Sequence, residues 1–235
     1  MTDVSNVNDE ASVWWDTAKN DTAWWHSIVK AIVTSGPILE WCRDLGVCEV
    51  TVYAFSIENF KRSSEEVDGL MKLAEEKFAK LLAEREKLEE QQISFRFFGN
   101  IAMLSPKLRK LVAQIQLLTK DYSRGVVNVC MPYTSRDELA RAFELIRKGR
   151  EKGLLEEDQI SEWLISRCLD SRLGTDPNML IRTSGEKRLS DFLLWQRNQA
   201  AKEPSTDEQI ALQPFLDYVD ELHNTTLQEY ASLEV

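Results

Sequence analysis

A chain of 235 residues, 43% of them hydrophobic, is long enough to bury one full core, so a single α/β domain is expected. Nine Gly and six Pro are too few for a linker-rich chain. A formal net charge of −10 excludes nucleic acid as the main partner, because phosphate backbones are bound by basic faces. No apolar run reaches the roughly 18 residues of a membrane span, and the N-terminus lacks the basic-then-apolar order of a signal peptide. An intracellular protein with at most peripheral membrane contact is expected.

In chain order, residues 1–22 are polar and acidic, with Trp14 and Trp15 as their large apolar feature, and read as a poorly ordered tail. An α/β domain is expected over 23–196 and a divergent helical segment over 197–235. Within the domain, the pattern predicts a helix over 24–33, a break at Gly36-Pro37, helical spacing from Ile38 to a stop at Gly46, and a strand over 49–56. Ser63-Ser64-Glu65-Glu66 opens a helix to about residue 91. Its apolar stripe includes Leu70, Leu73, Phe78 and Leu81. Strands over 93–98 and 126–131 alternate with helices over 106–122, 136–152 and 157–169, followed by a strand over 179–182. The strands read as nearly apolar on both faces, which argues for a mainly parallel central sheet covered by helices. An acidic amphipathic helix is expected over 207–233.

Ligands of such sheets bind beyond the carboxyl ends of the strands, and two polar loops sit there. The first follows the strand over 49–56 and holds Ser56, Asn59, Lys61 and Arg62. The second, following 179–182, holds Arg182, Thr183, Ser184, Gly185, Arg188 and Ser190. Two guanidiniums with hydroxyl donors suit a diphosphate, and a glycine lets the backbone come close. The plainer reading makes the arginines surface charges paired with Glu186 or Asp191, and makes Ser56 and Asn59 a turn cap ahead of Lys61. The cysteines Cys42, Cys48, Cys130 and Cys168 have no CxxC pairing and read as reduced thiols rather than zinc ligands. His26 and His223 lie far from any metal spacing, so no metal ligand is assigned.

These two loops, together with Glu65-Glu66-Val67-Asp68-Gly69-Leu70-Met71, the run from Asn128 to Arg136, and Gly153-Leu154-Leu155, resemble the cis-prenyltransferase family over roughly residues 39–196. The Tyr133-Thr134-Ser135-Arg136 wording is similar to its eukaryotic dehydrodolichyl diphosphate synthase branch. The resemblance implies condensation of isopentenyl diphosphate with an allylic diphosphate, dependence on Mg²⁺, a homodimer or a heteromer with a related subunit, and association with the endoplasmic reticulum membrane. It also implies that Arg182, Arg188 and Ser190 hold the isopentenyl diphosphate, and that Arg62, a diphosphate contact, lies with Ser56 and Asn59 beside the reacting ends. Ser56 and Asn59 are implied as catalytic residues next to the reacting ends. The resemblance leaves the Leu70, Leu73, Phe78 and Leu81 stripe facing either core or prenyl-chain tunnel. The family's Met-Asp-Gly-Asn-x-Arg segment, which carries the metal-binding Asp, has no counterpart in this sequence, since Asp16 and Asp21 follow no apolar strand. A sheet lacking its first strand is therefore expected, with little prenyl transfer by the chain alone. A non-catalytic partner subunit is the alternative.

Overall fold

The computed structural model describes residues 44–182, 188–196 and 203–235. The expected tail over 1–22 and helix over 24–33 lie outside the described residues. From residue 44 on, the chain forms β1 (Glu49–Tyr53), α1 (Ser64–Ala83), α2 (Arg85–Gln91), β2 (Ile93–Phe98), α3 (Pro106–Thr119), β3 (Gly125–Cys130), α4 (Ser135–Glu151), α5 (Glu162–Arg167) and α6 (Thr206–Ala231). The three strands are parallel in the order β1-β3-β2, as helical crossovers require.

Alternation along the strands sorts their side chains. Phe95, Phe97, Val127 and Val129 lie on one face and pack against Leu70, Ala74, Phe78 and Leu81 of α1 and Leu108, Val112 and Ile115 of α3. Leu70, Phe78 and Leu81 are thus core residues, with Leu73 half-buried at the margin. The opposite face is polar at its start, which corrects the expectation of strands apolar on both sides. There Asn128 Nδ2 donates to Glu49 Oε1 (2.7 Å) and Thr51 Oγ1 (3.0 Å), and Arg96 lies 3.7 Å from Glu49. A second core joins Ala142 and Ile146 of α4, Leu164 of α5, and Leu212, Phe215 and Val219 of α6.

Other boundaries differ from expectation: β1 stops at Tyr53 rather than at residue 56, and α3 at Thr119 rather than at residue 122. Glu84, at φ −89° and ψ 40°, ends α1 and starts α2, so the helix expected to reach residue 91 is broken. The region expected as one helix over 157–169 is a 3₁₀ turn (Glu157–Gln159) followed by α5. The strand expected over 179–182 does not form. Met179 and Ile181 are 76% and 77% exposed, and no described strand pairs with them, so the apolar run lacks the ladder that a strand needs. Cys130 and Cys168 are buried free thiols, as expected, whereas Cys48 is exposed. At the carboxyl end of β2, Gly99 has φ +130°, and a Cβ there would lie 2.0 Å from the Pro132 carbonyl oxygen. Only glycine allows the chain leaving β2 to cross so close to the chain leaving β3.

Candidate functional site

The carboxyl ends of β1 and β3 run on side by side. Ser56 pairs with Tyr133 in an isolated parallel bridge, Tyr133 N donates to Phe55 O (3.0 Å), and Ile57 N donates to Tyr133 O (3.3 Å). Ser56 then caps the 3₁₀ turn Ile57–Lys61. Its Oγ accepts from Glu58 N (3.2 Å), and Asn59 Oδ1 accepts from Ser56 N (2.9 Å). The two residues are therefore the turn's reciprocal cap, the plainer of the two sequence readings. Their hydroxyl and amide donors stay uncommitted in those bonds. Arg62 closes the turn and pairs with Glu66, and Lys61 pairs with Glu58. That lysine holds the Glu58 carboxyl below its ordinary range.

The second loop meets the same strand ends. Arg182 Nη1 donates to the Arg188 carbonyl and to Ser190 Oγ (3.1 Å), so the three predicted diphosphate residues are neighbours, Arg182 and Ser190 through their side chains and Arg188 through its backbone. Tyr53, the last residue of β1, links this loop to the sheet. Its hydroxyl is shared between the carbonyls of Tyr133 (3.0 Å) and Ser190 (3.2 Å), and its ring stacks on Phe192 with centroids 4.6 Å apart. Burial pushes the Tyr53 hydroxyl up to about 12, so it remains a proton donor at neutral pH. Ser190, Asp191 and Leu193 all have left-handed φ values of 51°, 59° and 47°. Non-glycine residues rarely adopt that conformation and keep it only where their surroundings impose it. Here Ser135 N donates to Asp191 O (2.8 Å), Leu194 N donates to Ser135 Oγ (2.8 Å), and Arg136 Nε donates to Asp191 Oδ2 (2.8 Å).

Beneath the turn lies a buried polar knot that the sequence reading missed. Glu138 accepts from Tyr133 Oη (2.6 Å), Gln196 Nε2 (2.9 Å) and Asp170 N (3.0 Å). Burial, helped by the Asp170 charge, raises its carboxyl to about 7. Burial acts on Asp170 in the same sense, but Arg141 outweighs it and holds Asp170 below its ordinary range. A sequence signal did exist. Glu138 stands four and eight residues before Ala142 and Ile146, on the buried stripe of α4.

The carboxylates of this region do not fit a Mg²⁺ cage. Glu58, Glu66 and Asp191 are each bound to a cationic side chain. Among the described residues no group of three metal-ligating side chains converges.

Comparison with known proteins identifies the lineage. Residues 15–207 match the family model described as "Putative undecaprenyl diphosphate synthase". The human dehydrodolichyl diphosphate synthase complex subunit DHDDS is 51% identical over 162 residues, which are 69% of this chain and 49% of that one. The chain thus spans about half the length of that relative. The tritrans,polycis-undecaprenyl-diphosphate synthase (geranylgeranyl-diphosphate specific) of Pyrococcus horikoshii is 42% identical over 159 residues, 68% of this chain and 60% of that one. Among solved structures, lavandulyl diphosphate synthase from Lavandula x intermedia, in complex with dimethylallyl diphosphate, superposes with a TM-score of 0.68 at 25% identity, covering 95% of this chain and 92% of that one. An undecaprenyl diphosphate synthase of Campylobacter jejuni, described as probable, superposes at 0.57 and 27% identity over 84% and 88% of the two chains. By its family model, its relatives and its fold, the chain belongs to the cis-prenyltransferase family.

Proposed function

We propose that the chain binds isopentenyl diphosphate in a prenyltransferase of polyprenyl and dolichol biosynthesis. One observation carries the reading: Arg182, Arg188 and Ser190 are neighbours, tied by Tyr53 to the strand that leads into Ser56. The Arg182 guanidinium and the Ser190 hydroxyl already meet there, so an oxyanion entering the cluster exchanges weak internal contacts for charge-assisted ones. In the reaction implied by the family, the allylic C–O bond breaks and the diphosphate leaves with the electron pair. The double bond of isopentenyl diphosphate supplies the electrons of the new C–C bond, and a proton is then lost. Arg182, Arg188 and Ser190 fix the donor, Arg62 supplies a further cation at the first loop, and Ser56 and Asn59 present donors beside the reacting ends. Magnesium would neutralise the departing diphosphate when bound, but the described residues do not fit it, and no step is routed through it.

Among the described residues, Glu58, Glu66 and Asp191 near the loops are each tied to a cation, which favours a second reading: a non-catalytic subunit that keeps the donor site and works beside a related chain. The human relative carries the words "complex subunit" in its name. In either role the family resemblance implies action at the endoplasmic reticulum surface; no described helix is long and apolar enough to cross a membrane.

Isothermal titration of isopentenyl diphosphate into the purified chain tests the site. Arg182→Ala or Arg188→Ala should each weaken binding by about 1.5–3 kcal/mol, the value of a charge-assisted hydrogen bond. Binding indifferent to both arginines would refute the reading. Elongation of farnesyl diphosphate by the chain alone, with Mg²⁺, separates the two roles: turnover makes it the enzyme, and donor binding without turnover makes it the subunit.

A further inference from the structure

Glu138 is 1% exposed, and all three of its near contacts are donors. The guanidinium facing it, Arg141, is held by Asp137 and doubly by Asp170. The other titratable neighbours, Tyr133, Cys130 and Asp170, offer no positive charge. A desolvated carboxylate without its own counter-ion is unfavourable. An apolar residue here would continue the stripe of Ala142 and Ile146, so packing of α4 does not call for an acid.

What the carboxylate does is reach the segment after Ser190, once directly and otherwise through Tyr133. Gln196 is held directly. Tyr133, the partner of Glu138 through its hydroxyl, lies 3.3 Å from Ser135 Oγ, which accepts from Leu194 N. The Tyr133 carbonyl shares the Tyr53 hydroxyl with Ser190 O. Both ends of the left-handed turn therefore lead back to the Glu138–Tyr133 pair. We infer that Glu138 is a positioning residue, which clamps the Ser190–Leu193 turn so that Ser190 and Arg182 stay arranged for a diphosphate. This rests on the donor-site reading above. An isosteric amide distinguishes clamp from fold residue. Glutamine turns an NH₂ toward a donor on one side of the knot, and it removes the uncompensated charge.

The test uses the full chain as wild type, E138Q, Y133F and R182A, with three readouts at pH 8: thermal midpoint, hydrogen exchange of residues 190–196, and titration with isopentenyl diphosphate. E138Q should keep or raise the midpoint. It should also speed exchange of the Leu194 amide and weaken the diphosphate about tenfold, the equivalent of one hydrogen bond to a charged group. Exchange in α1 should stay unchanged. Y133F, which leaves the ring in place, should act in the same direction and less strongly. Wild-type exchange and affinity in E138Q would overturn the inference, and so would a lowered midpoint with exchange accelerated throughout the chain. A wild type that ignores isopentenyl diphosphate, with R182A no different, would refute the donor site, and the exchange pattern would still decide whether Glu138 holds the turn.

Discussion

The titration of Glu138 has a sign that a single residue fixes. Its carboxyl, ordinarily at 4.5, is raised by burial to about 7 in the folded chain. Between those values the folded chain retains a proton that the unfolded chain has lost. The contribution of Glu138 to stability is therefore fully present below 4.5 and is lost as pH rises through 7. Urea denaturation at pH 5 and pH 8 should show wild type losing stability relative to E138Q at the higher pH, and parallel curves would contradict the burial argument. Tyr53 gives a second residue-scale prediction. Tyr53→Phe keeps the stack on Phe192 but leaves two carbonyls without the shared hydroxyl, a cost of about 0.5–1.5 kcal/mol in chemical denaturation. Legibility follows chemistry at this scale. Arg182, Arg188 and Ser190 stood out because their side chains suit an anion. Tyr53 and Glu138 did not, because they act through other residues. The left-handed φ of Ser190, Asp191 and Leu193 has no sequence signature at all, since glycine normally announces such positions.

Among elements, the treatment of sheet edges decides what the pattern could reveal. Along the outer edge of β2, side chains of α3 take the place of a neighbouring strand: Phe95 N donates to Thr119 Oγ1 (2.9 Å) and Phe97 N to Gln116 Oε1 (3.1 Å). Thr119 is fully buried and passes its own proton to Ile115 O (2.9 Å). Thr119→Val preserves shape but strands the Phe95 N–H away from water, which should cost about 1–3 kcal/mol and speed exchange of that amide above its β2 neighbours. Unaltered Phe95 exchange would show that solvent reaches this edge. The strand over 179–182 failed for the reciprocal reason. Apolar β-branched composition signals a strand only where a ladder partner waits, and composition carries no information about partners. The helices expected over 136–152 and 207–233, by contrast, were legible nearly to their ends because stripes and caps are local. Ser63, Ser105 and Ser205 each accept from a first-turn N–H.

Across the whole molecule, Asp170 connects the sheet to the helical core of α4, α5 and α6. Its carboxylate accepts from Gly99 N (2.8 Å) at the end of β2 and from Arg141 Nη1 and Nη2 (2.9 and 2.7 Å) on α4. Its own backbone N–H reaches Glu138. Asp170→Asn keeps the shape and removes the charge, leaving the half-buried Arg141 with Asp137 as its remaining carboxylate partner. Loss of the charge-assisted bonds should cost about 1.5–3 kcal/mol. Because Arg141 holds the folded Asp170 below 3.8, the contribution of this pair is present above 3.8 and is lost as pH falls through the lower folded value. Wild type should therefore approach the stability of D170N as pH drops below 3.8, and exceed it clearly at pH 5. Denaturation of both proteins from pH 2.5 to 6 checks this. A gap that persists unchanged into acid would mean that the carboxylate charge contributes nothing, and that the end of β2 and α4 are joined by apolar contact and backbone alone.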